Sequence, residues 1–207
     1  MYTGITQGLY EVVALDKSQD LITYTVKLSH DLCENLKIGA SVAVDGVCQT
    51  VTQINETEVS FQAMTETLNK TTLNELHLGS KVSIERSLRF GDEVGGHEIS
   101  GHVYGTAFIY QKKIAENNLT LIIECHPSWM KYILPKGFIA VDGSSLTIGD
   151  VVPEKGLFYL HLIPETIKLT NFANKNVGDR VNIEFDYKTK IIVDTVERML
   201  AVRQNQQ

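Results

Sequence analysis

Val42-Ala43-Val44-Asp45-Gly46-Val47-Cys48-Gln49-Thr50-Val51 returns 97 residues later as Ile139-Ala140-Val141-Asp142-Gly143-Ser144-Ser145-Leu146-Thr147-Ile148. The correspondence runs without a gap from Thr3/Ser100 through Gly4/Gly101 and Gly8/Gly105 to Val51/Ile148. After a two-residue insertion the offset becomes 99, and Glu66-Thr67 meets Glu165-Thr166. At the same offset Leu78-Gly79-Ser80-Lys81-Val82-Ser83-Ile84-Glu85 meets Val177-Gly178-Asp179-Arg180-Val181-Asn182-Ile183-Glu184. Two blocks in one order at nearly one offset make the chain two copies of a module of roughly 90 residues, followed by a tail.

Each copy reads as mostly β. Ile22–Leu28, Ser41–Val51, Glu58–Phe61 and Lys81–Glu85 are short runs of β-branched and apolar residues separated by turn residues. Leu119–Cys125, Leu157–Leu162 and Arg180–Phe185 answer them in the second copy. About six short strands per module predict a small closed barrel, because closure removes exposed edges. The Val-Asp-Gly and Leu-Gly-Ser-Lys turns supply glycine where positive φ is needed. Short helices are expected at Asp31–Leu36 and Ser128–Ile133, and Pro164-Glu165-Thr166 starts another. The tail differs: Ile192, Val196, Met199 and Leu200 fall at helical spacing within Lys188–Arg203, with Asp194 expected early and Arg198 and Arg203 late. Its apolar face docks either on its own barrel or on another subunit, since a lone helix of this length is marginal in water. The expected division is 1–97, 98–186 and 187–207.

Composition removes several classes. The 207 residues carry a formal charge of −6, against a nucleic-acid binder that needs clustered positive charge. No run of about 18 apolar residues forms a membrane span, and Met1-Tyr2-Thr3-Gly4-Ile5 lacks the basic and apolar regions of a secretory signal. Cys33, Cys48 and Cys125 are too scattered for a disulfide scaffold and form no C-x-x-C pair. A reduced, cytoplasmic protein is expected. Neither a phosphate-binding G-x-x-x-x-G-K-[ST] nor H-E-x-x-H occurs. His97 and His102, five apart, do not share a strand face, so no shared metal is expected.

The chemistry lies in what the copies share and where they differ. Cys48 and Ser145 are small polar side chains at one repeat position, and Thr50 and Thr147 at another. A free cysteine is ordinarily a small buried hydrophobe and a strand threonine ordinarily a β-former. Survival of the polar set in both copies points instead to a shared ligand position. The copies then diverge: His102 stands opposite Ile5, Ser41 opposite Phe138, Asp186 opposite Ser87. Two pockets that treat one kind of ligand differently suit a reaction between donor and acceptor. His102 is a proton carrier for neutral pH, or else a turn histidine; Asp186 is a base or hydroxyl anchor, or else a solvated strand end.

Together these residues resemble the α-type riboflavin synthases, over Met1 to about Arg203. The marks are Met-x-Thr-Gly-Ile at the start, Gly39–Val51, Gly95-Gly96-His97-Glu98-Ile99-Ser100-Gly101-His102-Val103, Lys136–Thr147, His161–Thr166, Val181–Asp186 and Asp194-Thr195-Val196-Glu197-Arg198. The resemblance implies two similar six-stranded Greek-key barrels and a C-terminal helix that gathers three chains. It implies dismutation of two 6,7-dimethyl-8-ribityllumazine molecules into riboflavin and 5-amino-6-ribitylaminouracil, without metal or redox cofactor. Each barrel would hold one lumazine, and the active site would form between the N-terminal barrel of one subunit and the C-terminal barrel of its neighbour. Partners implied are that substrate, two further copies of the chain and, as a candidate associate, lumazine synthase; nucleic acid and membrane are not among them.

Carried over by motif, the N-terminal pocket is Gly4, Ile5, Thr6, Cys48, Gln49 and Thr50 with Gln62, Ala63, Met64, Thr65, Glu66 and Thr67. The C-terminal pocket is Gly101, His102, Val103, Ser145, Leu146 and Thr147 with His161, Leu162, Ile163, Pro164, Glu165 and Thr166; Lys136 would reach a ligand of the adjacent chain. Cys48, His102, Ser145 and Asp186 are the expected catalytic set, with Ser41 and His97 in support. One departure is Tyr2, where the family typically has Phe. The alternative is a non-catalytic lumazine or flavin antenna protein, whose relatives lose the motif in one barrel; here both copies keep Asp-Gly-x-[Cys/Ser]-x-Thr. Flavin reductase barrels carry an Arg-x-Tyr-[Ser/Thr] strand and a nucleotide domain, which this chain lacks.

Overall fold

The computed structural model describes residues 1–116 and 118–204. Alternation builds the strands: Ile22, Tyr24 and Val26 turn inward in one copy, Leu119, Leu121 and Ile123 in the other. The first barrel comprises β1 (Gly8–Lys17), β2 (Leu21–Lys27), β3 (Ser41–Val44), β4 (Val47–Asn55), β5 (Glu58–Met64) and β6 (Lys81–Arg86). The second comprises β7 (Gly105–Ala115), β8 (Asn118–Glu124), β9 (Phe138–Val141), β10 (Ser144–Val152), β11 (Leu157–Leu162) and β12 (Arg180–Phe185). Both close antiparallel in the same spatial order, β1-β2-β5-β4-β3-β6 and β7-β8-β11-β10-β9-β12. Register shifts fall at equivalent places, Val12/Ala14 with Ile109/Gln111 and Val51/Gln53 with Ile148/Val151, and bend the sheets toward closure.

Several expectations change in detail. Ser41–Val51 is a hairpin rather than one run: Asp45 (φ 45°) and Gly46 (φ 78°) reverse the chain. The first expected helix shrinks to α1 (His30–Cys33), capped by Ser29, because left-handed Asn35 (φ 56°) stops it. Ser128–Ile133 is instead a 3₁₀ stretch, Pro127–Tyr132. α2 (Thr65–Lys70) and α3 (Pro164–Leu169) lead out of β5 and β11. The tail is α4 (Tyr187–Gln204), in which Asp194 lies mid-helix, bound to Lys190 (2.6 Å) and the Tyr132 hydroxyl (2.5 Å) rather than serving the first turn. Residues 205–207 of the expected tail lie outside the described residues.

The two barrels meet across a near-symmetric seam. Tyr2 and Ile99 exchange backbone hydrogen bonds (2.7 and 3.0 Å), and with Ala43 and Ala140 they form a separate buried cluster. Gly46 and Gly143 lie backbone to backbone: a Cβ on Gly46 would stand 2.7 Å from Gly143 Cα. Asp45 and Asp142 are both buried beside them, accepting from the Ser83 and Asn182 amides at 2.7 Å each. One lysine serves the pair: Lys175 Nζ is 3.3 Å from Asp142 Oδ2. Asn182 closes the seam by donating to Asp45 O (2.8 Å) and accepting from the Thr72 amide (2.8 Å).

Two outcomes follow from this seam. A methyl group on Gly39 (φ 86°) would meet nothing within 4 Å, so Gly39→Ala should cost only the left-handed strain, about 1 kcal/mol. Gly46→Ala adds a backbone collision and should lower the urea midpoint far more; equal losses would remove the seam from the stability account. Burial, then Asp142, pushes the Asp45 carboxyl from 3.8 up to about 7, against Lys175. Folding therefore favours its protonated form, a contribution complete below pH 3.8 and lost as pH rises through about 7. Wild type should lose stability relative to Asp45→Asn across that window; parallel pH profiles of the urea midpoint would refute it.

Candidate active site

Each module begins with a short extended segment before its first strand, and a buried glutamate ties that segment down. Glu85 accepts from the Thr3 amide (2.7 Å), the Thr3 hydroxyl (2.8 Å) and the Gly4 amide (3.1 Å). Glu184 accepts from the Ser100 amide (2.7 Å), the Ser100 hydroxyl (2.6 Å) and the Gly101 amide (2.9 Å). Held to its own barrel, each segment crosses to the other. The Cys48 amide donates to Gly101 O and the Ser145 amide to Gly4 O, both at 2.9 Å. A Cβ on Gly101 would strike Cys48, and one on Gly4 would strike Ser145, so both positions demand glycine.

The cavities bring these segments together across the two barrels, where the expected pockets kept each within its own module. Gly4, Ile5 and Thr6 share a cavity of about 210 Å3 with Ser145, Ile163, Glu165 and Thr166 of the second barrel. His102 instead shares a cavity of about 600 Å3 with Cys48 of the first barrel, and Val103 packs on the first barrel's core. Sequence assigned each segment to its own module because it follows the chain; the crossing is a tertiary fact fixed by Glu85 and Glu184.

The two sides differ chemically. On the first, Cys48 is half-buried on β4 and His102 is exposed on the facing segment; Ser41 opens β3, paired with Thr50. Lys190 and Glu98 line the same cavity. On the second, His97 Nδ1 lies 2.6 Å from Ser145 Oγ, and its ring stacks on Phe138 at 5.2 Å and 15°. Burial holds the His97 imidazole below its usual range, partly offset by nearby Asp186. A neutral imidazole on a hydroxyl can accept its proton. Burial would raise Asp186, but the Thr189 hydroxyl and amide and then His97 outweigh it and hold the carboxyl below the usual range. Those Thr189 bonds (2.7 and 2.9 Å) also make Asp186 the N-terminal cap of α4.

Other expected residues are placed as follows. Gln49 is buried, its amide oxygen held by the Tyr24 hydroxyl (3.2 Å) and its nitrogen donating to Cys48 O (3.0 Å). Gln62, Ala63 and Met64 end β5, and Thr65, Glu66 and Thr67 open α2, with Gln62, Met64, Thr65 and Glu66 exposed. Leu146 is buried and Thr147 exposed on β10. His161 and Leu162 end β11, where His161 Nδ1 meets the Thr120 hydroxyl at 3.1 Å; Ile163 and Pro164 lead into α3. Lys136 is exposed and left-handed (φ 65°). Sequence reasoning gave no role to Glu85, Glu184, Asn182, Lys175 or Lys190. The signal for the glutamates was present, since Glu85/Glu184 and Thr3/Ser100 both recur across the repeat.

A family model described as "Lumazine binding domain" matches residues 3–87 and again 100–186. The riboflavin synthase of Escherichia coli (strain K12) is 47% identical over 206 residues, covering 99% of this chain and 96% of that protein. The crystal structure of LumP complexed with riboflavin matches with a TM-score of 0.84 at 25% identity, over 90% of this chain and 100% of that one. LumP complexed with 6,7-dimethyl-8-(1'-D-ribityl) lumazine matches at 0.81 and 24% identity, over 90% and 99%, and supports the fold alone. With two lumazine-binding repeats and near-half identity along its length, the chain belongs to the riboflavin synthase family.

Proposed function

We propose that this chain dismutates two molecules of 6,7-dimethyl-8-ribityllumazine, passing a four-carbon unit from one to the other to give riboflavin and 5-amino-6-(D-ribitylamino)uracil, the last step of riboflavin biosynthesis. The observation that carries this is the pair of equivalent yet unlike sites, Cys48 with His102 and Ser145 with His97. One substrate must donate and the other accept, so two copies of one pocket need different chemistry. The donor's C7 methyl loses a proton; a nucleophile adds at C7 of the acceptor, the ring taking the electron pair until the nucleophile is expelled. Cys48 and Ser145 are the candidate nucleophiles, His102 and His97 the candidate proton carriers, and Asp186 biases His97. Positioning two rings face to face supplies a further share of the rate.

The same reading makes the protein a homotrimer. Ile192, Val196, Met199 and Leu200 of α4 are each half or more exposed, an apolar stripe suited to neighbouring chains. In the trimer Lys136 reaches a neighbour's ligand, and unlike barrels of adjacent subunits face each other. Cys33, Cys48 and Cys125 are free thiols, as suits a cytoplasmic site of action. Among the described residues no helix is long and apolar enough to cross a membrane.

Purified protein given the lumazine alone should form one riboflavin per two lumazines consumed. Tight lumazine binding without riboflavin would instead assign the antenna function. Cys48→Ala and His102→Ala should lower kcat by about a hundredfold while lumazine affinity stays within about threefold; unchanged kcat removes that residue from the catalytic set. Val196→Glu with Leu200→Glu should turn a trimer into monomers by sedimentation, with loss of turnover. Full activity as a monomer would overturn the shared site.

A further inference from the structure

We infer that Tyr2 is a positioning residue for Cys48: its phenol donates to the thiol sulfur and holds that sulfur at the cavity wall. The inference rests on the proposed use of Cys48 in the lumazine reaction.

Tyr2 is 1% exposed, yet its hydroxyl is not idle. It lies 3.2 Å from Cys48 Sγ and donates to it. The phenol's backbone is pinned on both sides by the exchange with Ile99, so the donor comes from a fixed point. Cys48 is equally constrained: its amide binds Gly101 O, and Gly101 approaches so closely that no side chain fits between. Only the sulfur retains rotational choice, and the Tyr2 hydroxyl settles it.

The direction of the bond is settled too. Burial first, then Cys48, then the negative charge of Glu85 push the Tyr2 phenol far above its ordinary range; the Ser41 hydroxyl, which also reaches the phenol oxygen, opposes them only in part. The phenol thus stays a donor at every working pH, and the sulfur must accept. The remaining charged and titratable groups around this thiol are those of the shared cavity: His102, Glu98, Glu184, Tyr104, Tyr187 and Lys190.

The other thiols provide an internal reference. Burial pushes Cys33 up, and burial with Glu124 pushes Cys125 up to about 12, so neither competes at neutral pH. Iodoacetamide alkylation of the full chain, followed residue by residue by peptide mass spectrometry between about pH 6 and 9, reads Cys48 directly. In Tyr2→Phe the sulfur is no longer held at the cavity wall, so Cys48 alkylation should slow by about tenfold while the Cys33 rate is unchanged. Riboflavin formation should lose kcat with KM kept. Identical Cys48 profiles in the two folded proteins would overturn the inference. If Tyr2→Phe unfolds, Cys48→Ala gives the answer from the other side. Loss of the sulfur must then change the ultraviolet difference spectrum of a buried tyrosine, and an unaltered spectrum refutes the bond. A wild type that makes no riboflavin but whose Cys48 still depends on Tyr2 would sink the proposed function and leave the positioning intact.

Discussion

The site depends on two buried carboxylates, Glu85 and Glu184. Each collects two amides and a hydroxyl from the segment that precedes its own barrel. Three donors satisfy a buried charge that would otherwise cost several kcal/mol. Those bonds fix where the segment leaves the barrel, and from there Gly4 and Gly101 can only run along the opposite barrel. Remove either carboxylate and three polar groups are orphaned, but the larger loss is directional: Gly101 no longer closes over Cys48, nor Gly4 over Ser145.

Symmetry accounts for the scaffold and broken symmetry for the chemistry. The seam repeats itself in Tyr2/Ile99, Ala43/Ala140, Gly46/Gly143 and Asp45/Asp142. It departs where a second copy would be of no use. Lys175 has no counterpart, since Leu76 occupies the equivalent place; its one cation sits against Asp142, while burial and the Asp142 charge push the Asp45 carboxyl up to about 7 despite it. Around the ligand positions the departures are more pointed. His102 answers Ile5, and Phe138, which stacks on His97, answers Ser41. A donor pocket and an acceptor pocket grow from one module by such exchanges without disturbing either core.

Much of this was legible in the chain. The offset of 97 residues gave the two barrels, because repeated Asp-Gly hairpins need repeated neighbours. Cys48 and Ser145 stood out because polarity survived where apolar identity drifted. The opening strands Gly8–Lys17 and Gly105–Ala115 were harder to see, since polar residues interrupt both and their bulges break strict alternation. The crossing of Gly4 and Gly101 was invisible for another reason. A chain records which residues adjoin, and the partner of a crossing segment is chosen by a glutamate some 80 residues away. His97 illustrates the same limit: spacing separated it from His102, but only packing brings it to Ser145.

Position 2 shows how a fold can alter its chemistry with one atom. The aromatic ring there is demanded by the seam, where it fills the cluster with Ile99 and the two alanines. A phenylalanine would meet that demand. The hydroxyl of Tyr2 adds nothing to the packing; a buried phenol left alone would cost about 1–3 kcal/mol. It persists in a buried place because the thiol of Cys48 accepts its hydrogen bond, while the hydroxyl of Ser41 acts on the phenol oxygen as a donor. Both belong to the face of the first barrel that the second barrel lacks, where Ser145 and Phe138 stand instead. The residue opposite Tyr2 in the repeat is Ile99, which has nothing to donate. The hydrogen bond therefore deepens the very asymmetry on which a donor and an acceptor site depend, and does so from the seam that makes the two barrels alike.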